Sequence, residues 1–187
     1  MQDNLNLKKG CILVSKPLVD DGFFEQSIIF LTAHDSKGSL GFALNKKSSL
    51  LVRDVMEGFS DVDPIYYGGP VEQEALFYLH SFEGIPGAIK VGTNLFLGGD
   101  FEIFKIHYLK QQVNFTGKSR PKFFLGYSGW SEGQLVEELQ QDAWLVLDSS
   151  KVNYPLNTTS NSWREYMKKL GGKYALWANS PQDPCLN

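Results

Sequence analysis

The string Gly126-Tyr127-Ser128-Gly129-Trp130 lies inside "KFFLGYSGWSEGQLVEEL", where a strand pattern gives way to a helix pattern. An α/β-hydrolase places its nucleophilic serine at such a junction, in a Gly-x-Ser-x-Gly elbow whose small flanking residues permit a strained turn. The first glycine is present, but Trp130 stands where the second is required. A triad also needs a histidine and an acid. In the hydrolase order the histidine follows the serine, whereas His34, His80 and His107 all precede it. Ser128 therefore reads as a small residue in a tight turn, and no residue is assigned as catalytic.

Metal and phosphate chemistry find little support. His34 is followed by Asp35, and His80 and His107 stand apart, so no pair has the spacing that puts two ligands on one helix face. No metal site is expected. The double glycines Gly68-Gly69 in "YGGP" and Gly98-Gly99 in "LGGD" permit positive φ or close backbone approach. The second precedes a helix pattern whose N–H groups could meet an anion. Asp100, the natural N-cap there, would take those donors and repel a phosphate. There is no Gly-x-Gly-x-x-Gly and no P-loop lysine, so no cofactor is expected. Cys11 lies in an apolar strand pattern and Cys185 in the tail, which reads as one buried and one exposed thiol.

The elements that must position these residues follow from periodicity. "CILVSK" reads as a strand. "IIFL" is apolar on both faces, as in a buried strand, and "HDSKGS" is a hairpin loop leading into "SLGFALNK". "SSLLVRDVMEGF" reads as a helix capped by Ser49, with Leu51, Val55 and Phe59 on one face and Gly58 at its end. "PIYYGG" and "ALFYLHSF" read as strands flanking a glycine turn, and "NLFLGGDFEIFKIHYLKQQ" as strand, double glycine and helix. Ser131 and Gln134 match a capping box, as do Ser162 and Glu165 ahead of a last helix that stops at Gly171; "DAWLVLD" between them is a strand. Hairpin strands in the first half and an irregular strand–helix mixture point to α+β with a mixed sheet.

The 187 residues fit one domain, 1–187, with enough chain to bury a core. Apolar runs such as "SIIFLTA" and "AWLVL" are too short to span a bilayer. The N-terminal stretch carries an acidic residue, Asp3, and only a short apolar run after its lysines, a poor signal peptide, so the expected location is cytoplasmic with no membrane partner. The net charge of −3 is unevenly spread. Residues 54–102 hold nine acidic side chains and one lysine, 104–130 hold five basic ones and no acidic ones, and 132–148 are acidic again. Such blocks do not make the basic stripe of a DNA-binding domain.

Five strings in order resemble the AlgH/YqgE family, an uncharacterised bacterial family: "FFEQSIIFLTAH", "GFALNK", "YYGGPV" with "LH", "LGGD", and "GYSGWSEGQLVEEL". These motifs cover residues 10–148, leaving a C-terminal helical extension over 149–187. Two positions depart from the family's pattern. Ser128 replaces its common alanine, which argues further against a nucleophile, and Lys46-Lys47 replace an Arg-Pro-like ending. The resemblance implies a bifurcated, barrel-like, mostly antiparallel sheet with flanking helices. It implies no reaction, although members carry a transcriptional-regulator label.

The leading expectation is a non-enzymatic binding or regulatory protein with an unnamed protein or small-molecule partner. Its expected surface is the place where Asn45, Gly68, Gly69, His80, Tyr127, Trp130 and Gln134 converge. A small-molecule enzyme using His80 or Asn45 is the first alternative, and a DNA-binding regulator the second. No recognition helix is visible, so specific duplex binding is not expected. A rival to ligand binding is that the Tyr127–Gln134 corner is rigid, with Trp130 packed as its wedge and Tyr127 reaching a neighbouring loop.

Overall fold

The computed structural model describes residues 7–17, 22–59, 62–111, 115, 120–148 and 157–179. The apolar run at Ile28 becomes β2 (Ile28–Asp35), with β1 (Cys11–Ser15) and β3 (Gly38–Ala43) antiparallel on its two edges. Partners on both edges and cover on both faces leave Ile28, Ile29, Phe30 and Leu31 buried, as a continuous apolar run requires. Ser36 and Lys37 turn the β2–β3 hairpin, and the Asp35 carboxylate accepts the Lys37 N–H at 2.7 Å.

The chain continues through β4 (Lys47–Leu51), α1 (Val52–Val55), β5 (Pro64–Tyr67), β6 (Val71–His80), β7 (Ile89–Gly92) and β8 (Leu95–Leu97). Then come α2 (Phe101–Gln111), β9 (Lys122–Ser131), α3 (Gln134–Gln140), β10 (Trp144–Asp148), α4 (Ser162–Leu170) and α5 (Gly172–Trp177). Among the described residues ten strands form one sheet in the order β10-β1-β2-β3-β9-β6-β8-β7, with β4 and β5 joined at the side. All pairings are antiparallel except β5 with β9. The fold is α+β with a mixed sheet, as the element pattern predicts, and the sheet is mostly antiparallel, as the resemblance implies.

The sheet forks at β9. One edge of β9 pairs with β6 from Lys122 to Tyr127. The other edge pairs with β5 at Phe123, Phe124 and Leu125, then passes to β3 at Ser128 through Ser131. Gly68 and Gly69 sit in the crotch. Gly68 donates its N–H to the Leu125 carbonyl at 2.8 Å, and its own carbonyl accepts both Ala43 N–H and Ser128 Oγ at 2.9 Å. A Cβ on Gly69 would fall on the Tyr127–Ser128 peptide, and one on Gly68 would strike the Gly126 carbonyl. Gly126 turns the strand there with φ +67°, a conformation that favours glycine.

Alternation along β1 and β2 divides the core. Ile12, Val14, Ile28 and Phe30 face α4 and α5 through Trp163 and Met167. Leu13, Ile29 and Leu31 face the other way, toward Trp130, Trp144 and Leu135 of α3. A third cluster gathers Phe104 and Tyr108 of α2 with Ile65, Tyr78 and Phe123. Phe104 and Tyr108 hold the helical spacing read from the sequence, and Asp100 caps α2 by accepting Ile103 N–H at 2.9 Å.

Three local expectations are corrected. The helix read from Ser49 is mostly strand: β4 extends to Leu51, and α1 is a single turn, Val52–Val55, with Val55 49% exposed. Strand pairing wins because Ser48 Oγ reaches the Ile65 carbonyl at 2.9 Å and Val52 N–H reaches the Asp63 carbonyl at 2.9 Å, anchoring both ends to the β5 segment. Ser131 ends β9 rather than capping α3, whose N-cap is Gly133; Gln134 Oε1 still accepts the Ser131 N–H at 3.0 Å. Asn161, not Ser162, holds the N-cap position of α4, without a side-chain capping bond, while Ser162 Oγ accepts Thr159 N–H at 2.8 Å. Cys11 is buried as read, and Cys185 lies outside the described residues.

Candidate functional site

His80 ends β6 with no exposed surface, packed among Tyr78, Phe82, Phe96 and Phe104. Both ring nitrogens are engaged. Nδ1 accepts the Phe82 N–H at 3.2 Å, which leaves the proton on Nε2, and Nε2 donates to the Gly98 carbonyl at 2.8 Å. Burial lowers its pKa below 6.5, outweighing the Gly98 carbonyl, so the ring is held neutral. Asn45 is also internal. Its Oδ1 accepts Ile28 N–H at 2.8 Å and its Nδ2 donates to the Gln26 carbonyl at 2.7 Å, closing the entrance to β2. Gly68 and Gly69 occupy the fork. These four residues are separately engaged inside the fold.

The corner after β9 is different. Trp130 is 4% exposed, stacks on Phe24 at 6.0 Å and meets Trp144 edge-on at 6.0 Å. Both indoles donate to one oxygen: Trp130 Nε1 to Glu138 Oε2 at 2.8 Å, and Trp144 Nε1 to the same atom at 2.7 Å. Gln134 Nε2 supports the other oxygen, Glu138 Oε1, at 3.0 Å. Glu138 thereby locks α3 to β9 and β10. Tyr127 is half-buried and packs edge-on against Phe77 at 5.8 Å.

Two open clefts flank the β2–β3 hairpin, sharing Asp35, Gly38 and Ser39. One, of about 510 Å³, is bounded by His34, Ser36, Ser131, Glu132, Leu135 and Val136 as well. The other, of about 380 Å³, adds Lys37, Val71, Tyr127 and Trp130. Tyr127 and Trp130 are thus the expected site residues that reach a concavity, and Gln134 adjoins through its bond to Ser131. His34 Nδ1 and Ser39 Oγ lie 2.8 Å apart as a cross-strand pair on the wall of the larger cleft. The turn signal in "HDSKGS" implies that pairing, since residues flanking a short hairpin loop face each other.

Sequence reading missed two buried charges. Lys122, counted among the basic residues of 104–130, is 4% exposed at the start of β9. Its Nζ donates to the Thr158 carbonyl at 2.6 Å and lies 3.9 Å over the Tyr66 ring. Burial lowers its pKa from 10.5 to about 7. Asp63 is also buried, holding the Tyr108 hydroxyl and Arg120 Nη1. Neither contact has a local sequence signal, because the partners are 36 to 57 residues away. Among the described residues no group of three or more His, Cys, Asp or Glu is arranged to hold a metal.

Two solved structures share this fold. A protein from Corynebacterium diphtheriae, determined by X-ray crystallography, superposes with TM-score 0.75 at 18% identity, over 96% of this chain and 95% of its own. The solution structure of AlgH from Pseudomonas aeruginosa gives TM-score 0.68 at 23% identity, over 98% and 99%. Relatives in sequence are closer. A UPF0301 protein of Bacteroides thetaiotaomicron is 37% identical over 99% of this chain and 94% of its own length. Another from Cytophaga hutchinsonii is 34% identical over 97% and 100%. The family model described as AlgH-like matches residues 12–175, through the fork, the Trp–Glu–Trp corner and most of the C-terminal helices. This chain belongs to the AlgH-like family.

Proposed function

We propose that this protein is a non-enzymatic binding protein of the cytoplasm, with a regulatory role, whose contact surface is the pair of clefts around the β2–β3 hairpin. The observation that carries this reading is the division of labour among its polar residues. His80, Asn45 and Ser128 are buried, and their side chains hold backbone groups of the fold. Asp35, Ser39, Glu132 and Tyr127 instead line concavities braced by a rigid corner. Rigid walls with adaptable polar rims suit binding. An enzyme built on His80 or Asn45 has less support, because a substrate would have to displace bonds that hold β2 and the β8–α2 turn. Regulation through protein or small-molecule contact fits the charge pattern better than duplex reading, which needs a basic face. No described helix is long and apolar enough to cross a membrane.

The test is an NMR titration of the labelled protein with a panel of metabolites, basic and acidic peptides, and duplex DNA. Shifts are expected at Asp35, Ser39, Glu132 and Tyr127 amides with at least one probe, and not with DNA at physiological salt. Saturable shifts confined to other surfaces would overturn the reading. The pairing of His34 with Ser39 favours one second reading, acyl transfer. Turnover of a chromogenic ester that vanishes in Ser39→Ala, with the fold preserved, would replace the binding reading by that one.

A further inference from the structure

Helices α4 and α5 bury one side and leave a basic face with apolar tips outside. Leu170, next to the exposed Lys168 and Lys169, is 41% exposed, and Leu176 of α5 is 73% exposed. Exposed leucines on a helix pair rich in lysine suit a contact that joins apolar and charged groups. Residues 162–177 carry four basic side chains and one acidic, a net of +3 in a chain of net −3, so the remainder sums to −6. The matching surface is on the same chain. The larger cleft is rimmed by Asp35 and Glu132, bounded by Leu135, and edged by Val136, which is 45% exposed. Glu137 continues the acidic edge into α3 and is exposed.

Within one molecule the two surfaces lie on opposite faces of the sheet, and among the described residues only Lys173, at the start of α5, comes within electrostatic reach of the α3 end at Asp142. α3 lies on the face of β1 and β2 that carries Leu13 and Ile29, and α4 and α5 on the face that carries Ile12 and Ile28. We propose that the occupant of the acidic cleft is the α4–α5 face of a second copy of this chain, in a head-to-tail contact. This rests on the clefts being the binding surface. Opposite charge steers the two unlike faces together, while like faces repel, so a symmetric pairing of either face with itself is disfavoured. Such a heterologous contact repeats and forms a ring or a filament.

The experiment measures mass by light scattering behind size exclusion, over a wide range of protein concentration and at low and high salt. Wild type is expected to assemble with concentration and to dissociate in high salt, since the contact is between exposed charges. Glu132→Lys with Glu137→Lys disables one face, and Lys168→Glu with Lys169→Glu the other. Each double variant alone is expected to stay at the 21.0 kDa of one chain. Mixed, the two reversed faces are again of opposite charge, as are the two unreversed ones, so assembly should return, which also shows that both variants are folded. Leu176→Ser, at the most exposed leucine, should weaken wild-type assembly without changing charge. A monomeric wild type throughout, or assembly indifferent to both reversals, overturns the proposal. A monomer whose cleft still shifts with a titrated ligand sinks the second-copy inference alone; a monomer with no cleft response to any probe sinks both it and the binding reading.

Discussion

Lys122 is the residue whose chemistry departs furthest from its ordinary behaviour. The Thr158 carbonyl and the Tyr66 face both favour its ammonium form, yet burial outweighs them and lowers the pKa to about 7. The unfolded chain titrates the same amine near 10.5. Between these values the unfolded state holds the proton and the folded state has released it. Stability therefore rises with pH across that window, by up to about 1.4 kcal/mol per pH unit, and this slope vanishes below the folded pKa. Urea unfolding of wild type and Lys122→Met at neutral pH and at pH near 9 should show wild type gaining on the variant as pH rises. Parallel profiles would show that the amine remains charged in the folded protein. Glu138 makes a second residue-level case, because one carboxylate oxygen serves two indoles. Trp130→Ala should cost about 3–5 kcal/mol as a buried aromatic is lost. Trp130→Phe keeps the packing but drops one charge-assisted bond, worth about 1.5–3 kcal/mol. Chemical denaturation orders the three proteins; an unchanged midpoint for Trp130→Ala would remove the wedge role and return Trp130 to the ligand surface.

Among the elements, β9 explains why the double glycine at Gly68 and Gly69 and the glycines of "GYSG" are what they are. Three strands, β3, β5 and β6, meet β9 around one turn, and side chains there would occupy backbone space. Gly69→Ala should destabilise by about 3 kcal/mol or fail to fold, being overpacked against main chain that cannot yield. Gly133, with φ +76° but open space around it, is the control: Gly133→Ala should lose only about 1 kcal/mol, for its backbone angle. Thermal melts that place the two variants together would mean the fork is looser than its geometry. Periodicity made β1, β2, β3, β10, α2 and α4 legible, since each carries its own apolar pattern and cap or turn residues. It failed at β4 because "SSLLVRDV" satisfies a helical spacing as well as a strand, and only the distant Asp63 and Ile65 carbonyls decide between them. The fork itself came from family resemblance, not from spacing: strand order depends on contacts that no local window contains. The same holds for the candidate site. Tyr127 and Trp130 were visible as amphipathic rings in a glycine-bracketed turn, but the burial of His80 and Asn45 depends on loops that arrive from elsewhere.

At the scale of the molecule, the question is whether the C-terminal helices are an appendage or half of the core. The family's strong motifs stop by residue 148, whereas the family match runs on to residue 175. Packing argues for integration. Trp163 is 1% exposed, its Nε1 donates to the Ser15 carbonyl at 2.8 Å, and Met167 is fully buried against Ile12, Val14, Ile28 and Phe30. Without α4 and α5, the central strands β1 and β2 would present those four apolar side chains to water. Each fully buried side chain of this kind contributes roughly 1.5–3 kcal/mol, so together they rival the whole net stability of a typical domain. The sheet should not survive their exposure. Unfolding of wild type followed by far-UV circular dichroism and by fluorescence should therefore coincide in one transition. Trp163→Ala should lower that single midpoint, by about 3–5 kcal/mol of stability, with the two probes still superimposed. An early loss of helical signal in Trp163→Ala, followed by a separate transition of Trp130 and Trp144 on the other face, would instead show a self-sufficient sheet. In that case the basic α4–α5 face would be free to detach, and a detachable arm, not a rigid face, would be what meets any partner.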